Sequence, residues 1–318
     1  MRGVTLALGL VPDAAPLEIV RVLAEARARP LVPPRILARS AAPCKENVLT
    51  GDGVDLLRLP TPLIHGHDGG RYLQTYGLNI VRTPDGTWTN WSINRMMLLG
   101  KDRLGCLIPP NQHLGIIHAK WRALGKPTPI AVALGVEPGL PYVGGMPIPE
   151  GLDEAAVLGA YFGEPLDLVA AETVGLDVPA TAEFVVEGHI SLDETAMEGP
   201  MDEYPGYVGD AGSQKPVLVV SAITHRDRPI LPFSTAGAPV DENHTGWGLP
   251  HAAEIPSCAP TACPSRCAGW CWRAPATGWS SPPRPIGTSG RSSIRRASAS
   301  GPATGCSAPR RASASPRS

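Results

Sequence analysis

The sequence predicts an α+β fold in which short antiparallel strands outnumber helices and form a barrel or a sandwich. Between residues 52 and 254 many short apolar runs alternate with turn residues, and few segments show helical spacing. A doubly wound sheet would need a helix after almost every strand, so the predicted sheet is antiparallel. With 318 residues, 43% of them hydrophobic, the chain is long enough for about two domains.

The first 50 residues are predicted to form a partial N-terminal α/β segment. Residues 1–15 hold a short apolar run followed by Asp13, which favours a strand leading into a loop over a signal peptide. Apolar positions at helical spacing predict an amphipathic helix over 16–28, with Pro16 near its start. Residues 34–45 resemble a strand and its exit.

Residues 51–225 are predicted to form a β-rich domain, and residues 226–254 the start of a C-terminal α/β domain. The turn tripeptide Pro84-Asp85-Gly86 separates two strand-like runs within 76–93 and therefore predicts a hairpin. Two helices are expected, over 110–124 and over 151–162, the second with acidic residues in its first turn. Further strands are predicted over 129–136, 182–190, 216–224 and 228–233.

The formal charge of −1 hides an uneven distribution. Residues 255–318 contain nine Arg and no Lys, Asp or Glu, which leaves 19 basic and 29 acidic side chains in the rest of the chain. An acidic body argues against nucleic-acid binding. Because no run of about 18 apolar residues occurs, no membrane span is expected, and we expect a cytoplasmic location.

Residues 255–318 have a different composition from the rest of the chain. They lack Leu, Val, Phe, Met and Tyr, and four of their five Cys are separated by four, three and three residues, a loose resemblance to a zinc cluster. A disordered Ser/Arg/Pro tail is a second interpretation. The favoured one is a frameshift, since out-of-frame reading of GC-rich DNA yields Ala, Gly, Pro and Arg with scattered Cys and Trp. A Leu/Val-rich continuation in another frame after the codon for Glu254 would support it.

Candidate metal ligands lie beside predicted strand and helix ends. The sequence has no GxGxxG after a strand, no P-loop and no GxSxG turn, so nucleotide binding and serine hydrolysis have no support. The stretch 65–68, HGHD, could ligate a metal, although an exposed loop is the favoured interpretation. The amide of Asn90, the imidazole of His113 and the carboxylate of Glu154 would form a mixed shell that suits Mn²⁺ or Mg²⁺.

Three carboxylates occur within the Gly- and Pro-rich segment 198–207, EGPMDEYPGY. Such a segment is either a solvated turn or a loop that presents Glu198 and Glu203 to a pocket. A neighbouring Arg, such as Arg95, would lower the pKa of one carboxylate. Burial and like-charge repulsion would raise the pKa of the other and leave it able to donate a proton. Asp202 is expected to be a bystander.

Six motifs, in order and at nearly the same spacing, resemble the UbiD-type decarboxylases, most closely the branch acting on ferulic- and cinnamic-type acids. They are DGTWTNWSINRMM, PNQH, GGMPIPEG, VPATAEFVVEGHISL, MEGPMDEYPGYVG and HRDRPILPFSTAGAPVDENHT. The resemblance covers residues 43–254 and implies an antiparallel, flavin-reductase-like split barrel flanked by α/β segments. It also implies a chain truncated at its N-terminus and frameshifted after residue 254, without the C-terminal part that supplies pocket residues and much of the oligomer interface.

The same resemblance implies a prenylated FMN cofactor, a divalent Mn²⁺ or Mg²⁺ ion and a K⁺ ion. The metal ligands would be Asn90, His113 and Glu154. The catalytic network would be Arg95, Glu198 and Glu203, in which Glu203 donates the proton after loss of CO₂ and the cofactor supplies the electron sink. The cofactor-lining residues would be Ile93, Asn94, Arg95, Gln112, His113, Gly144, Gly145, Met146 and Glu154.

The expected function is the reversible, non-oxidative decarboxylation of an α,β-unsaturated or aromatic carboxylic acid. A flavin prenyltransferase would supply the cofactor, and the full-length family fold would form a homo-oligomer. One alternative is an inactive remnant that retains only cofactor or partner binding. Another is a split-barrel flavin oxidoreductase that uses unmodified FMN and a nicotinamide donor. The two residue sets favour decarboxylation because hydride transfer requires neither.

Overall fold

The computed structural model describes residues 2–26, 28–202, 211–237 and 248–254. Within these ranges the main feature is a curled antiparallel half-barrel sheet, accompanied by helices and by a second, smaller sheet. The predicted α+β class with an antiparallel split barrel is confirmed. The predicted domain boundaries stay a prediction, and the tail over 255–318 lies outside the described residues.

The described helices and strands alternate irregularly along the chain. The helices are α1 (Arg2–Ala7), α2 (Pro16–Ala26), α3 (His113–Ala123), α4 (Leu140–Gly144), α5 (Glu154–Phe162) and α6 (Gly248–Glu254). The strands are β1 (Arg35–Ile36), β2 (Asn47–Thr50), β3 (Tyr72–Gln74), β4 (Gly77–Arg82), β5 (Thr89–Ser92), β6 (Met96–Gly100), β7 (Arg103–Cys106), β8 (Thr128–Leu134), β9 (Asp167–Ala170), β10 (Asp177–Pro179), β11 (Phe184–Glu198) and β12 (Ser213–His225). Among the described residues, no helix has the length and apolar character needed to cross a membrane.

The large sheet runs in the order β3-β6-β7-β12-β11-β8-β4-β5, and β2 also pairs with β12. Its paired strands are antiparallel. The small sheet has the order β1-β9-β10, with β1 parallel and β10 antiparallel to β9. Strand β5 therefore ends the path of the large sheet, which leaves its outer edge open to helices.

The predicted hairpin around residues 84–86 is confirmed and joins β4 to β5. Gly86 adopts a positive φ of 74°, and its backbone N–H donates to the carbonyl of Thr83 at 2.9 Å. Hydrogen bonds from the hydroxyl of Thr83 and from Thr87 lower the pKa of Asp85 to about 2. The turn fixes the register that pairs Val81 with Asn90 and so places Asn90 on the terminal strand.

Strand β8 separates two apolar cores by simple alternation. Ile130, Val132 and Leu134 belong to a core that includes residues of α3. Ala131 and Ala133 belong to the opposite core, which includes residues of α5. Because successive side chains of a strand point to opposite faces, a run that is apolar throughout is buried on both sides. The helices α3 and α5 thus pack on opposite faces of the sheet.

The predicted strand within residues 1–15 is wrong, because residues 2–7 form helix α1. Val4 and Leu8, spaced as on one helical face, are buried in a cluster with Ile19 and Leu23 of α2. The chain turns at Gly9, whose φ is 68°. A short apolar run does not distinguish a strand from a helix by its periodicity, and here packing against α2 favours the helix.

The predicted strand over 228–233 is also wrong. Arg228 has a φ of 49°, outside the extended region. Pro229 and Pro232 have no backbone N–H to give to a neighbouring strand. The N–H of Ile230 donates instead to a side chain, the carboxylate of Glu183, at 3.0 Å.

The remaining predicted elements are present with shifted ends. The helix predicted over 151–162 begins at Glu154, because Asp153 is its N-cap and accepts a hydrogen bond from the N–H of Ala155 at 2.9 Å. The helices predicted over 16–28 and 110–124 are α2 and α3. Of residues 34–45, only Arg35–Ile36 form a strand, and short 3₁₀ turns follow.

Candidate functional site

The three predicted metal ligands converge at the open edge of the sheet. Asn90 lies on β5, His113 is the first residue of α3, and Glu154 is the first residue of α5. The Asn90 side-chain nitrogen donates to Glu154 Oε1 at 2.6 Å and lies 3.4 Å from His113 Nδ1. Because α3 and α5 approach β5 from opposite faces, their first residues meet at the edge strand.

The electrostatics of this cluster suit a cation. Burial raises the pKa of Glu154 to about 8, against a backbone hydrogen bond from Trp91 that lowers it. Burial lowers the pKa of His113, which keeps its imidazole neutral. The buried Asn90 Oδ1 has no hydrogen-bond partner within the described part of the chain. A divalent ion would stabilise the charged form of Glu154 and could be bound by neutral imidazole and amide oxygen, so the residues fit the implied metal.

A chain of hydrogen bonds donated by side-chain amides ends at Gln112, the residue that precedes His113. Gln74 donates to Asn79 at 3.2 Å, and Asn79 donates to the backbone carbonyl of Asn94 at 2.9 Å. The Asn94 amide in turn donates to Gln112 Oε1 at 2.9 Å, which brings together two residues of the predicted cofactor set.

Several polar atoms of this region are buried without a hydrogen-bond partner. Within the described residues they include Gln74 Oε1, Ser92 Oγ and Asn94 Oδ1. A buried polar atom left unpaired costs about 1–3 kcal/mol, and native proteins rarely leave such atoms unused. The cluster therefore fits a polar, hydrogen-bonding cofactor such as a flavin.

The remaining predicted cofactor residues lie either just after β5, as Ile93 does, or at the end of α4 and directly after it, as residues 144–146 do. Ile93 packs against one apolar core, and Gly144 is buried at the end of α4, where a Cβ atom would lie 2.4 Å from a methyl of Leu78. Gly145 follows α4 directly. Met146 is partly buried and lines an apolar cavity of about 60 Å³ with neighbours that include Ile148.

The structure brings together two of the three predicted catalytic residues. Arg95 donates two hydrogen bonds to the carboxylate of Glu198, from Nε to Oε1 at 2.8 Å and from Nη2 to Oε2 at 3.2 Å. The Glu198 side chain is only 1% exposed. Such a bidentate arrangement fixes the orientation of both groups. Glu203 lies outside the described residues.

Sequence reasoning missed Tyr72, which completes this network. Its hydroxyl donates to Glu198 Oε1 at 2.8 Å, and its ring lies 5.9 Å from the Arg95 guanidinium carbon. Burial, and then the charge of Glu198, hold the pKa of Tyr72 well above its usual range, so it remains a donor. A buried tyrosine needs a hydrogen-bond partner, but the sequence gives no sign of which one.

The predicted bystander Asp202 is not isolated. Its Oδ1 lies 2.5 Å from Nε2 of His67, which belongs to the HGHD stretch. That stretch is a loop, as predicted, and His67 is exposed. The side chain of Asp68, in contrast, is fully buried.

Comparisons with known proteins identify the family of this chain. Residues 35–239 match the UbiD family model, described as the 3-octaprenyl-4-hydroxybenzoate carboxy-lyase Rift-related domain. The chain is 48% identical over 272 residues to pyrrole-2-carboxylic acid decarboxylase of Pseudomonas aeruginosa, covering 85% of this chain and 54% of that protein. It is 43% identical over 250 residues to ferulic acid decarboxylase 1 of Saccharomyces cerevisiae, covering 78% and 50%.

A similar solved structure is the evolved dimeric form of the UbiD-class enzyme HmfF from Pelotomaculum thermopropionicum in complex with prFMN. The TM-score is 0.72 at 34% identity, covering 80% of this chain and 58% of that one. The vanillic acid decarboxylase of Sedimentibacter hydroxybenzoicus in closed form gives a TM-score of 0.74 at 27% identity, covering 80% and 54%. The chain spans about half the length of the curated relatives it matches.

Proposed function

Because this chain belongs to the UbiD family, we propose that it catalyses the non-oxidative, reversible decarboxylation of an α,β-unsaturated or aromatic carboxylic acid with prenylated FMN. The observation that carries the proposal is the ion pair between the buried Glu198 and the partly buried Arg95. Arg95 and the preceding Asn94 lie in the connection between β6 and β5, the strand that carries Asn90. Hydride transfer by a flavin needs neither the pair nor the metal set.

Asn90, His113 and Glu154 would hold Mn²⁺ or Mg²⁺, which would supply positive charge for an anionic cofactor. Their convergence and the unpaired Asn90 Oδ1 support this assignment. K⁺ is proposed from the family resemblance alone, without assigned ligands. Asn94 and Gln112 would orient the ring system, with Ile93 and the 144–146 segment as apolar and backbone walls.

Prenylated FMN, when bound, supplies an electron sink for the electron pair released as CO₂ leaves. The chain's own groups then control one proton. Arg95 is held by both oxygens of Glu198 and by the ring of Tyr72, so its charge has a fixed position. Arg95 would tune the proposed acid, Glu203, which would deliver the proton to the substrate carbon that lost CO₂.

The substrate class follows from the relatives, whose names state pyrrole-2-carboxylic and ferulic acid. We propose that an aromatic or conjugated acid enters the pocket, that a flavin prenyltransferase supplies the cofactor, and that the full-length family fold is a homo-oligomer. The pocket residues of the C-terminal part of the family fold would decide among such acids.

The test is co-expression of the full chain with a flavin prenyltransferase, followed by mass spectrometry of the bound cofactor and assay of CO₂ release. Cinnamic, ferulic and pyrrole-2-carboxylic acids are the substrates to offer. We expect bound prenylated FMN and release of CO₂ from at least one acid. A chain that instead binds unmodified FMN and oxidises a nicotinamide donor, without CO₂ release, would overturn the proposal. A chain that binds prenylated FMN without turnover would reduce it to cofactor binding.

A further inference from the structure

A second cluster of ligating side chains lies outside the proposed active-site sets. His65 and Asp68 belong to the loop that precedes β3, and Asp202 lies four residues beyond the end of β11. One ligand atom from each of the three can be chosen so that all lie within 4.8 Å of one another. We propose that His65, Asp68 and Asp202 bind a divalent transition-metal ion, with Zn²⁺ as the representative ion.

The buried carboxylate of Asp68 is the observation that points to a ligand. Its side chain is 0% exposed. One oxygen, Oδ2, accepts a hydrogen bond from the N–H of His65 at 2.9 Å and lies 3.3 Å from His65 Nδ1. The other oxygen, Oδ1, is buried without a hydrogen-bond partner among the described residues, and so is His65 Nδ1. Burying an unpaired carboxylate oxygen is costly, and a bound cation removes that cost.

Asp202 has one oxygen available for the same ion. Its Oδ1 lies 2.5 Å from Nε2 of His67, whereas its Oδ2 lies 3.8 Å from Nε2 of His65. His67 can therefore orient the carboxylate from outside, as hydrogen-bonding neighbours of metal ligands commonly do. Oδ2, the oxygen near His65, would be the ligand atom.

The loop that carries His65 and Asp68 is already attached to the segment that carries Asp202. The N–H of Gly69 donates to the carbonyl of Pro200 at 2.7 Å. A Cβ atom at Gly69 would lie 2.0 Å from the carbonyl oxygen of Gly199, so only glycine permits this approach. An ion would add a third link between two pieces of chain that the backbone holds in contact.

The donor set indicates which ion the site takes. One imidazole nitrogen and two carboxylate oxygens suit Zn²⁺, which binds such atoms at about 2.0–2.2 Å and leaves one position for water when it has three protein ligands. Ligand atoms on a tetrahedral ion lie about 3.4 Å apart, so atoms within 4.8 Å need only a small contraction. None of the three residues belongs to the Asn90, His113 and Glu154 set.

This site would also connect to the chemistry, a step that rests on the proposed function. Asp202 directly precedes Glu203, the proposed proton donor. An ion that holds Asp202 in place would therefore limit the positions that Glu203 can reach. The ion site itself does not depend on decarboxylation and can be tested separately.

The experiment measures Zn²⁺ bound to the chelator-treated full chain by equilibrium dialysis with metal analysis. We expect two ions per wild-type chain, one at each cluster. Asp68→Asn and His65→Gln should each lose one ion, while His113→Gln should lose the other. Arg71→Gln, a change at an exposed residue of the same loop, is the matched control and should keep both. Circular dichroism reports whether each variant is folded, and either of the two loop variants suffices if one does not fold.

Unchanged stoichiometry in folded Asp68→Asn or His65→Gln would overturn the ion site. Loss of the ion in Arg71→Gln would also overturn it, because the losses would then reflect a disturbed loop and not a missing ligand. If the two loop variants lose an ion and His113→Gln keeps both, the loop site is supported. The metal assignment of the proposed function is then contradicted.

Discussion

The two halves of the candidate site differ in whether their buried polar atoms find hydrogen-bond partners within the described chain. The Arg95–Glu198–Tyr72 network is closed, because both carboxylate oxygens of Glu198 have donors and the side chain is buried. The cluster of Asn90, His113 and Glu154 is open, with a buried amide oxygen unpaired and the pKa of Glu154 raised by burial to about 8. We infer from this difference that the first half is built by folding alone, and we propose that a ligand completes the second.

The largest expected effect is on turnover, in Glu203→Gln. Removing a general acid costs about 10²–10⁴ in rate, so the variant should keep bound cofactor and lose nearly all CO₂ release. The same substitution at Glu194, an exposed residue of β11 (side chain 44% exposed), should leave the rate unchanged. A rate near wild type in Glu203→Gln would remove Glu203 from the proton-donor role.

The closed network should show its effect in stability. Glu198→Ala leaves the Arg95 charge without this buried partner and Tyr72 without its acceptor, and breaking a buried pair costs about 3–5 kcal/mol. We expect that loss in the free energy of unfolding, measured by urea denaturation. Glu194→Ala is the matched control on the same strand, and its exposed pair with Arg103 should be worth under about 1 kcal/mol. Equal losses in the two variants would show that the network is not a buried, closed unit.

The open cluster should respond to a metal ion instead. An ion that binds only the folded chain stabilises it by about 2.7 kcal/mol at a hundredfold excess over its Kd. Mn²⁺ should therefore raise the unfolding midpoint of the wild type, and Glu154→Gln should abolish that part of the increase. The proposed ion site at the His65 loop is unchanged in this variant, so the comparison isolates the edge-strand cluster. An identical Mn²⁺ response in both proteins would contradict the ligand role of Glu154.

Much of this arrangement followed from the sequence, for physical reasons that can be named. Alternating or continuous apolar runs bounded by turn residues predicted the strands, and the tripeptide 84–86 fixed the hairpin that carries Asn90. The segments 1–15 and 228–233 were predicted wrongly. In the first segment, packing against α2 favours a helix over a strand. In the second, two prolines and a positive φ at Arg228 are incompatible with a strand.

The site residues were predictable only in part. Asn90, Arg95, His113, Glu154 and Glu198 were identified through motifs, and their convergence depends on helices that approach one edge strand from opposite faces. No local pattern indicates that Tyr72 reaches across the sheet to Glu198, or that the supposed bystander Asp202 meets the HGHD loop. These are contacts between residues more than 120 positions apart in the sequence, and only the tertiary fold specifies them.

The smallest expected effect concerns Tyr72. Tyr72→Phe removes one hydrogen bond to Glu198 but leaves both bonds from Arg95 in place. A hydrogen bond to a charged group is worth about 1.5–3 kcal/mol, and one to a neutral group about 0.5–1.5 kcal/mol. Tyr161→Phe is the matched control, because that buried hydroxyl donates to a neutral acceptor, the carbonyl of Leu8, at 2.9 Å. In urea denaturation Tyr72→Phe should lose more stability than Tyr161→Phe and less than Glu198→Ala. If Tyr72→Phe costs no more than its control, then Arg95 alone holds Glu198 and the closed half of the site contains two residues, not three.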